Sequence, residues 1–212
     1  MKFYWILLLV SPLAALTRLP DEFTVVERFF SLTQTFDIQT DLGPLATARK
    51  EILSLTSSFV LEDPLGNRLA SAKARFFGWG TIADIYDAEG LPIGRIEEVI
   101  WRILPWAEYK VFDAQDRLTV VARMNFLGTH FDLFPPENPE MVYATVERPF
   151  IRIFRDYWTV QIRNLSVFEE GTIDPRLLII LAVFQTDKDN RDRLRREILE
   201  TLRSHQDQNE GT

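Results

Sequence analysis

Between Asp174 and Asp187 lies the segment that most restricts how this chain can fold. An unbroken apolar run, Leu177–Phe184, follows Asp174-Pro175-Arg176. Asp174 is placed to cap a helix by accepting from free backbone N–H groups, and Pro175 suits the first helical turn, where its missing N–H costs nothing. A surface helix has one apolar stripe and one polar face. This segment would have no polar face for about two turns, yet it is far shorter than the ~20 apolar residues of a bilayer span. It must therefore be surrounded by protein. A buried strand is the competing reading, because Ile and Val are frequent in strands; the Asp-Pro start favours a helix.

What could surround it is set by the rest of the chain. From Phe29 to about Arg163 the sequence reads as about twelve short strands, from alternation, β-branched and aromatic residues, and regular turns. The first is expected over Phe29–Gln39 and the last two over Phe150–Phe154 and Thr159–Asn164. Asp63-Pro64-Leu65-Gly66-Asn67, Asp87-Ala88-Glu89-Gly90 and Asp113-Ala114-Gln115-Asp116 are turns of one form, each opened by an Asp able to bond its own backbone two residues on. Gly66 and Gly90 can take the positive φ a hairpin demands. Gly78-Trp79-Gly80 reads as a bend, and Pro135-Pro136-Glu137-Asn138-Pro139 as a rigid connection. No crossover helix separates the strands, so the sheet is antiparallel. Only a closed or strongly curled sheet can wrap a helix on all sides. The expectation is one mainly β domain, a closed antiparallel barrel spanning 29–190, with a central helix over 174–187.

The two ends of the chain differ from this body. Residues 1–16, within MKFYWILLLVSPLAALT, have the shape of a signal peptide, or of an uncleaved anchor or first strand. The expected location is exported or membrane-associated, and otherwise cytoplasmic. After Asp187 the chain becomes charged. Leu194, Ile198 and Leu202 recur every fourth residue, which predicts a separate surface helix from about Asn190 to Arg203 within a 191–212 tail, docking on the barrel or on a partner.

Composition removes several function classes. The chain has 212 residues, 46% of them hydrophobic, and a formal net charge of -7. That balance argues against general nucleic-acid binding, which needs clustered Lys and Arg. With no cysteine there are no disulfides, thiolate nucleophiles or Cys metal sites. His130 alone makes no triad, and no G-x-S-x-G elbow exists. Glu97, Glu98, Glu169 and Glu170 are candidate glycosidase acids, but adjacent strand residues point to opposite faces. Asp187-Lys188-Asp189-Asn190-Arg191-Asp192 puts Arg191 where a calcium loop wants a ligand. No cofactor or metal site is expected.

Several features together resemble the LURP-one-related and phospholipid-scramblase-like proteins, which share the tubby C-terminal-like fold. They are Phe36-Asp37-Ile38, the turn at 63–67, Trp101-Arg102, Tyr109-Lys110-Val111, and the segment from Asp174 to Asp187. The resemblance covers about Phe29 to Asn190. It implies a twelve-stranded barrel threaded by a hydrophobic helix, and binding rather than turnover. Tubby proteins bind phosphoinositides through basic residues beside the barrel, and scramblase-like members are linked to membranes and calcium. The chain departs from scramblases in lacking their Cys-rich segment. Candidate headgroup contacts are Lys73 and Arg75, two apart on one strand face, with Arg95, Arg102 and Lys110. Trp79, Trp101 and Trp106 are candidates for an exposed aromatic site or for core packing. The expected function is a non-enzymatic module for phospholipid headgroups or a membrane surface. A protein-binding or structural envelope component is the alternative, and a hydrolase the remote one.

Overall fold

The computed structural model describes residues 19–28, 33–51, 58–77, 80–100, 107–149 and 157–210. The expectations placed on residues 1–16, Arg102, Trp79, Trp101, Trp106 and the Phe150–Phe154 strand lie outside these residues, as does most of the Gly78-Trp79-Gly80 bend.

Twelve antiparallel strands close into a barrel, as expected: β1 (Glu22–Glu27), β2 (Thr35–Thr40), β3 (Gly43–Glu51), β4 (Ser58–Glu62), β5 (Arg68–Phe77), β6 (Gly80–Asp87), β7 (Pro92–Ile100), β8 (Ala107–Asp113), β9 (Leu118–Met124), β10 (His130–Phe134), β11 (Ala144–Glu147) and β12 (Tyr157–Ile162). Each strand pairs with its neighbours in sequence, and β1 pairs with β12 to close the ring, Phe23 opposite Val160 and Val25 opposite Trp158. A short helix α1 (Ser166–Glu169) leads into a long helix α2 (Pro175–Glu210).

Two boundaries differ from the sequence reading. The barrel begins at Glu22, ahead of the expected start at Phe29, because Glu22–Glu27 buries Phe23 and Val25 and pairs with β12 as the closing strand. The helix expected over 174–187 and the one expected over Asn190–Arg203 are a single element of 36 residues. No helix breaker occurs inside it: after Pro175 the segment holds neither Pro nor Gly, so the helical ladder runs on through the change from apolar to charged residues.

Strand alternation sends one side chain in two toward α2. Leu177 to Val183 are each no more than 2% exposed. The wall facing them is uneven. β3, β5 and β6 present Ala46, Ala48, Ala70, Ala72, Ala74 and Ala83, while β1, β2, β4, β10 and β12 present Phe23, Phe36, Phe59, Phe131 and Trp158, all buried. Gly94 marks a close approach of wall and helix, since a Cβ there would lie 3.0 Å from both Leu177 methyl carbons and 2.4 Å from the Phe112 carbonyl oxygen. Phe59 meets Phe184 edge-on at 4.9 Å, and Phe131 meets Trp158 at 5.4 Å.

In two of the three turns the chemistry follows the sequence reading, while Asp87 Oδ1 accepts from the Leu91 amide, four residues on, at 2.7 Å. Asp63 Oδ1 accepts from the Leu65 and Asn67 amides at 2.9 and 2.8 Å, and Asp113 Oδ1 accepts from the Gln115 and Arg117 amides, both at 2.9 Å. Gly66 and Gly90 take φ of +84° and +86°. The third turn has no glycine, and Asp116 takes the positive φ instead, at 63°. Asp174 caps α2, accepting from the Arg176 amide at 2.9 Å.

Candidate functional site

The strands alternate in direction, so the barrel has two unlike ends. α2 enters at the end where the β2–β3, β4–β5, β6–β7, β8–β9 and β10–β11 turns lie. It leaves at the other, which holds the first residues of β8 and β12 and the last residues of β3 and β7.

At the exit the helix turns polar while still enclosed. Gln185, Thr186 and Asp187 are at most 2% exposed. Most polar groups there find partners, although Arg148 Nε and Arg191 Nε are buried without a hydrogen bond among the described residues. Thr186 Oγ1 donates to the Ala182 carbonyl at 2.8 Å. The Tyr109 hydroxyl donates to Gln185 Oε1, and Gln185 Nε2 donates to Asp189 Oδ1 at 3.1 Å. Asp187 accepts from Lys50 Nζ at 2.8 and 3.1 Å, and Arg191 lies 3.2 Å from its other side. Asp189 accepts from Arg148 Nη1 and from Trp158 Nε1 at 3.0 Å, while the Arg148 guanidinium lies over the Trp158 ring. Lys188 pairs with Glu98. Helix and barrel thus exchange charges in both directions. The alternating acids that the sequence offers at 187 and 189 are held by cations, and among the described residues no group of three acids or histidines is placed to hold a metal.

Four of the five candidate headgroup residues share the outer face of β5–β8. Lys73, Asp84 and Arg95 stand opposite one another in one row, and Glu97 and Lys110 in the next, beside Arg75. The spacing argument for Lys73 and Arg75 therefore holds, and register adds Arg95 and Lys110. The same register interleaves acids. Arg75 lies 3.4 Å from Asp84, and Arg95 bonds Glu97 at 3.0 Å and Asp116 at 2.9 Å while stacking on Phe112. Lys73 lies over the Tyr86 ring. The face is a charge lattice of both signs.

The candidate acids are spread apart. Glu97 points outward to Arg95, whereas Glu98 turns inward to Lys188 with its side chain 7% exposed. Glu169 and Glu170 are exposed at the C-terminal end of α1, which follows β12 at the entry end. His130 sits on the outer face between Asp132, 3.1 Å away, and Glu147, 3.8 Å away.

Two further surfaces stand out. Beyond the exit, α2 carries exposed Ile198, Leu199 and Leu202, at 51%, 48% and 61%. Arg195, Leu199 and Arg203 follow at four-residue steps beside Ile198 and Leu202, so arginines flank the apolar strip. The predicted stripe of Ile198 and Leu202 thus does not dock on the barrel. The entry end carries more exposed acids than bases, the exposed bases there including Arg68, Arg117 and Arg163. Asp41, Glu89, Asp116, Glu137, Glu140 and Glu170 are exposed around it. Burial alone would raise the Asp63 carboxyl, but bonds from the Asn67 side chain and from the Asn67, Leu65 and Gly66 backbone outweigh it and hold the group below the usual carboxylate range. Asp113 is held down likewise, by the Arg117 backbone and side chain and the Gln115 backbone against the opposing effect of burial. Arg176 is raised first by its bonds to Asp174, with burial opposing; its Nη1 also donates to the Leu69 carbonyl at 3.0 Å.

No protein-family model matches the chain, and no curated protein matches it significantly. Among solved structures it is similar to the X-ray structure of a protein from Arabidopsis thaliana, at 15% identity and a TM-score of 0.36, over 84% of this chain and 98% of the other. The closed twelve-stranded barrel fits a tubby-like fold.

Proposed function

We propose that this protein is a non-enzymatic binding module of the LURP-one-related and scramblase-like type, and that it attaches to anionic lipid surfaces through the part of α2 outside the barrel. The observation that carries this reading is the exposed strip of Ile198, Leu199 and Leu202 flanked by Arg195, Arg196 and Arg203. A helix with an apolar strip and arginines beside it can seat its apolar residues at the headgroup boundary while the guanidinium groups reach lipid phosphates. The barrel supports this role by rigidity, since the apolar half of the same helix is gripped on all sides. The outer face of β5–β8 is the weaker lipid candidate, because Asp84, Glu97 and Asp116 already neutralise Arg75 and Arg95. Binding rather than turnover is favoured by the exit-end chemistry, where the acids and bases are consumed in pairing helix to barrel.

The test is co-sedimentation with vesicles of phosphatidylcholine alone and with added phosphatidylserine. Attachment is expected to the anionic vesicles only, to weaken with salt, and to be lost in Arg195→Glu/Arg196→Glu and in Ile198→Ser/Leu202→Ser. Lys73→Ala/Arg75→Ala is expected to bind as the parent does. If that variant alone loses binding, the sheet face is the lipid site; if no vesicle binds, the reading is wrong.

A further inference from the structure

The entry end differs from the lipid-facing end in both charge and shape. Three successive hairpins turn back there, and each carries a leucine at its tip. Leu42, Leu65 and Leu91 are 100%, 87% and 63% exposed. Neighbouring strands lie about 4.8 Å apart, so adjacent hairpin tips stand about 10 Å from one another, and the three leucines form an arc along one side of the rim. Single exposed leucines need no explanation, but three at successive tips make an apolar contact line.

Beside Leu91 a cleft of about 150 Å³ opens between the β6–β7 and β8–β9 turns, lined by three acids, Asp84, Asp113 and Asp116, against one base, Arg95, with Tyr86 and Pro92 beside them. Asp84 keeps a third of its side-chain surface exposed and meets Arg75 only at 3.4 Å. Asp116 is two-thirds exposed although paired with Arg95. An extended Lys or Arg stem can lie against Tyr86 and Pro92 while its charge meets these carboxylates.

We infer that this rim docks a basic amphipathic segment of a protein partner. The leucine arc seats the apolar side of the segment, and the cleft takes one of its Lys or Arg side chains. Charge sign selects this occupant: the acids around the rim attract a cationic polypeptide and repel the phosphate-bearing surface of an anionic membrane. The two ends of the barrel then serve two partners, with lipid at the helix exit and polypeptide at the hairpin tips.

Fluorescence anisotropy with a labelled synthetic helix, leucine on one side and arginine on the other, tests this on the full-length protein. Saturable binding is expected, weakening with salt. A version with Glu for Arg, and one with Ser for Leu, should bind at least ~10-fold more weakly, a change of about 1.4 kcal/mol. Leu42→Ser/Leu65→Ser/Leu91→Ser should lose at least as much. Asp84→Asn/Asp116→Asn should lose affinity and salt dependence together, with both variants checked for an unchanged melting temperature. Arg195→Glu/Arg196→Glu should bind the peptide as the parent does, which separates this proposal from the lipid reading. No binding of the Leu/Arg helix, equal binding of the Glu version, or unchanged binding in the leucine variant overturns the proposal. So does a leucine variant that loses vesicles containing phosphatidylserine but keeps the peptide, since the tips would then be lipid contacts.

Discussion

Lys50 on β3 and Asp187 on α2, 137 residues apart in the chain, meet at 2.8 Å with the carboxylate wholly enclosed. The contact fixes how far the helix is drawn through the barrel and which side it turns to β3. Breaking one partner of a buried pair costs about 3–5 kcal/mol, because the other is stranded, whereas replacing both by apolar groups can be close to neutral. Asp187→Leu is expected to lose about that amount, and Lys50→Met/Asp187→Leu to recover much of it, as read by urea unfolding. A double variant no more stable than the single one would show that the pair does not act as a unit.

At Gly94 strand and helix pack closely, since a Cβ there would lie 3.0 Å from the Leu177 methyl carbons. Gly94→Ala should destabilise by about 1–3 kcal/mol through overpacking, and Leu177→Ala should relieve part of that, leaving the clash with the Phe112 carbonyl. A double-mutant cycle by chemical denaturation measures the coupling, and strict additivity would place the strain elsewhere.

A charge at the centre of the run should be worse. Ile180 is 2% exposed, with fully buried Ile179 and Leu181 beside it, and an unpaired carboxylate there has neither water nor a partner. Ile180→Asp is expected to give no cooperative thermal transition. A native-like melting curve for that variant would contradict the enclosure of the helix.

Acid sensitivity should trace to the entry-end turns. The Asp63 and Asp113 carboxyls are held below their ordinary range when folded, so the unfolded chain binds protons more readily than the native one. Their contribution is complete above the unfolded value, near pH ~4, and fades as pH falls through the lower folded value. Asp63→Asn should lower stability at neutral pH and flatten its decline below about pH 4. Midpoints of urea unfolding at several pH values test this, and parallel curves for parent and variant would refute it.

Removing residues 194–212 should leave the barrel intact, because Ile198, Leu199 and Leu202 are exposed. A melting temperature within a few degrees of the parent is expected from differential scanning calorimetry. A large fall would mean that the projecting helix stabilises the barrel.

The core of the fold was readable because its signals are local. The apolar run, its Asp-Pro start and the three Asp-led turns each declare themselves within a few residues. β1 escaped notice because Glu22–Glu27 gains its meaning only from pairing with β12 at the far end of the chain. Splitting α2 in two mistook a change of environment for a change of conformation, since at Asp187 the helix continues while its surroundings change from barrel interior to mouth. The outer face shows the same limit. A two-residue spacing put Lys73 and Arg75 side by side, but only strand register reveals Asp84 and Glu97 between the bases. The ion pairs at the mouth join residues as far apart as Lys50 and Asp187, and no local pattern announces them.

The order of synthesis gives the plugging helix one more consequence. All twelve strands leave the ribosome before Leu177 does, so the emerging sheet has hairpins to form but nothing to close around. Until α2 has been read, a wall of alanines and aromatics faces an empty lumen. A nascent chain stalled near Gly171 would hold nearly every strand yet lack its centre, and it should be a substrate for chaperones or proteases rather than a smaller version of the same protein.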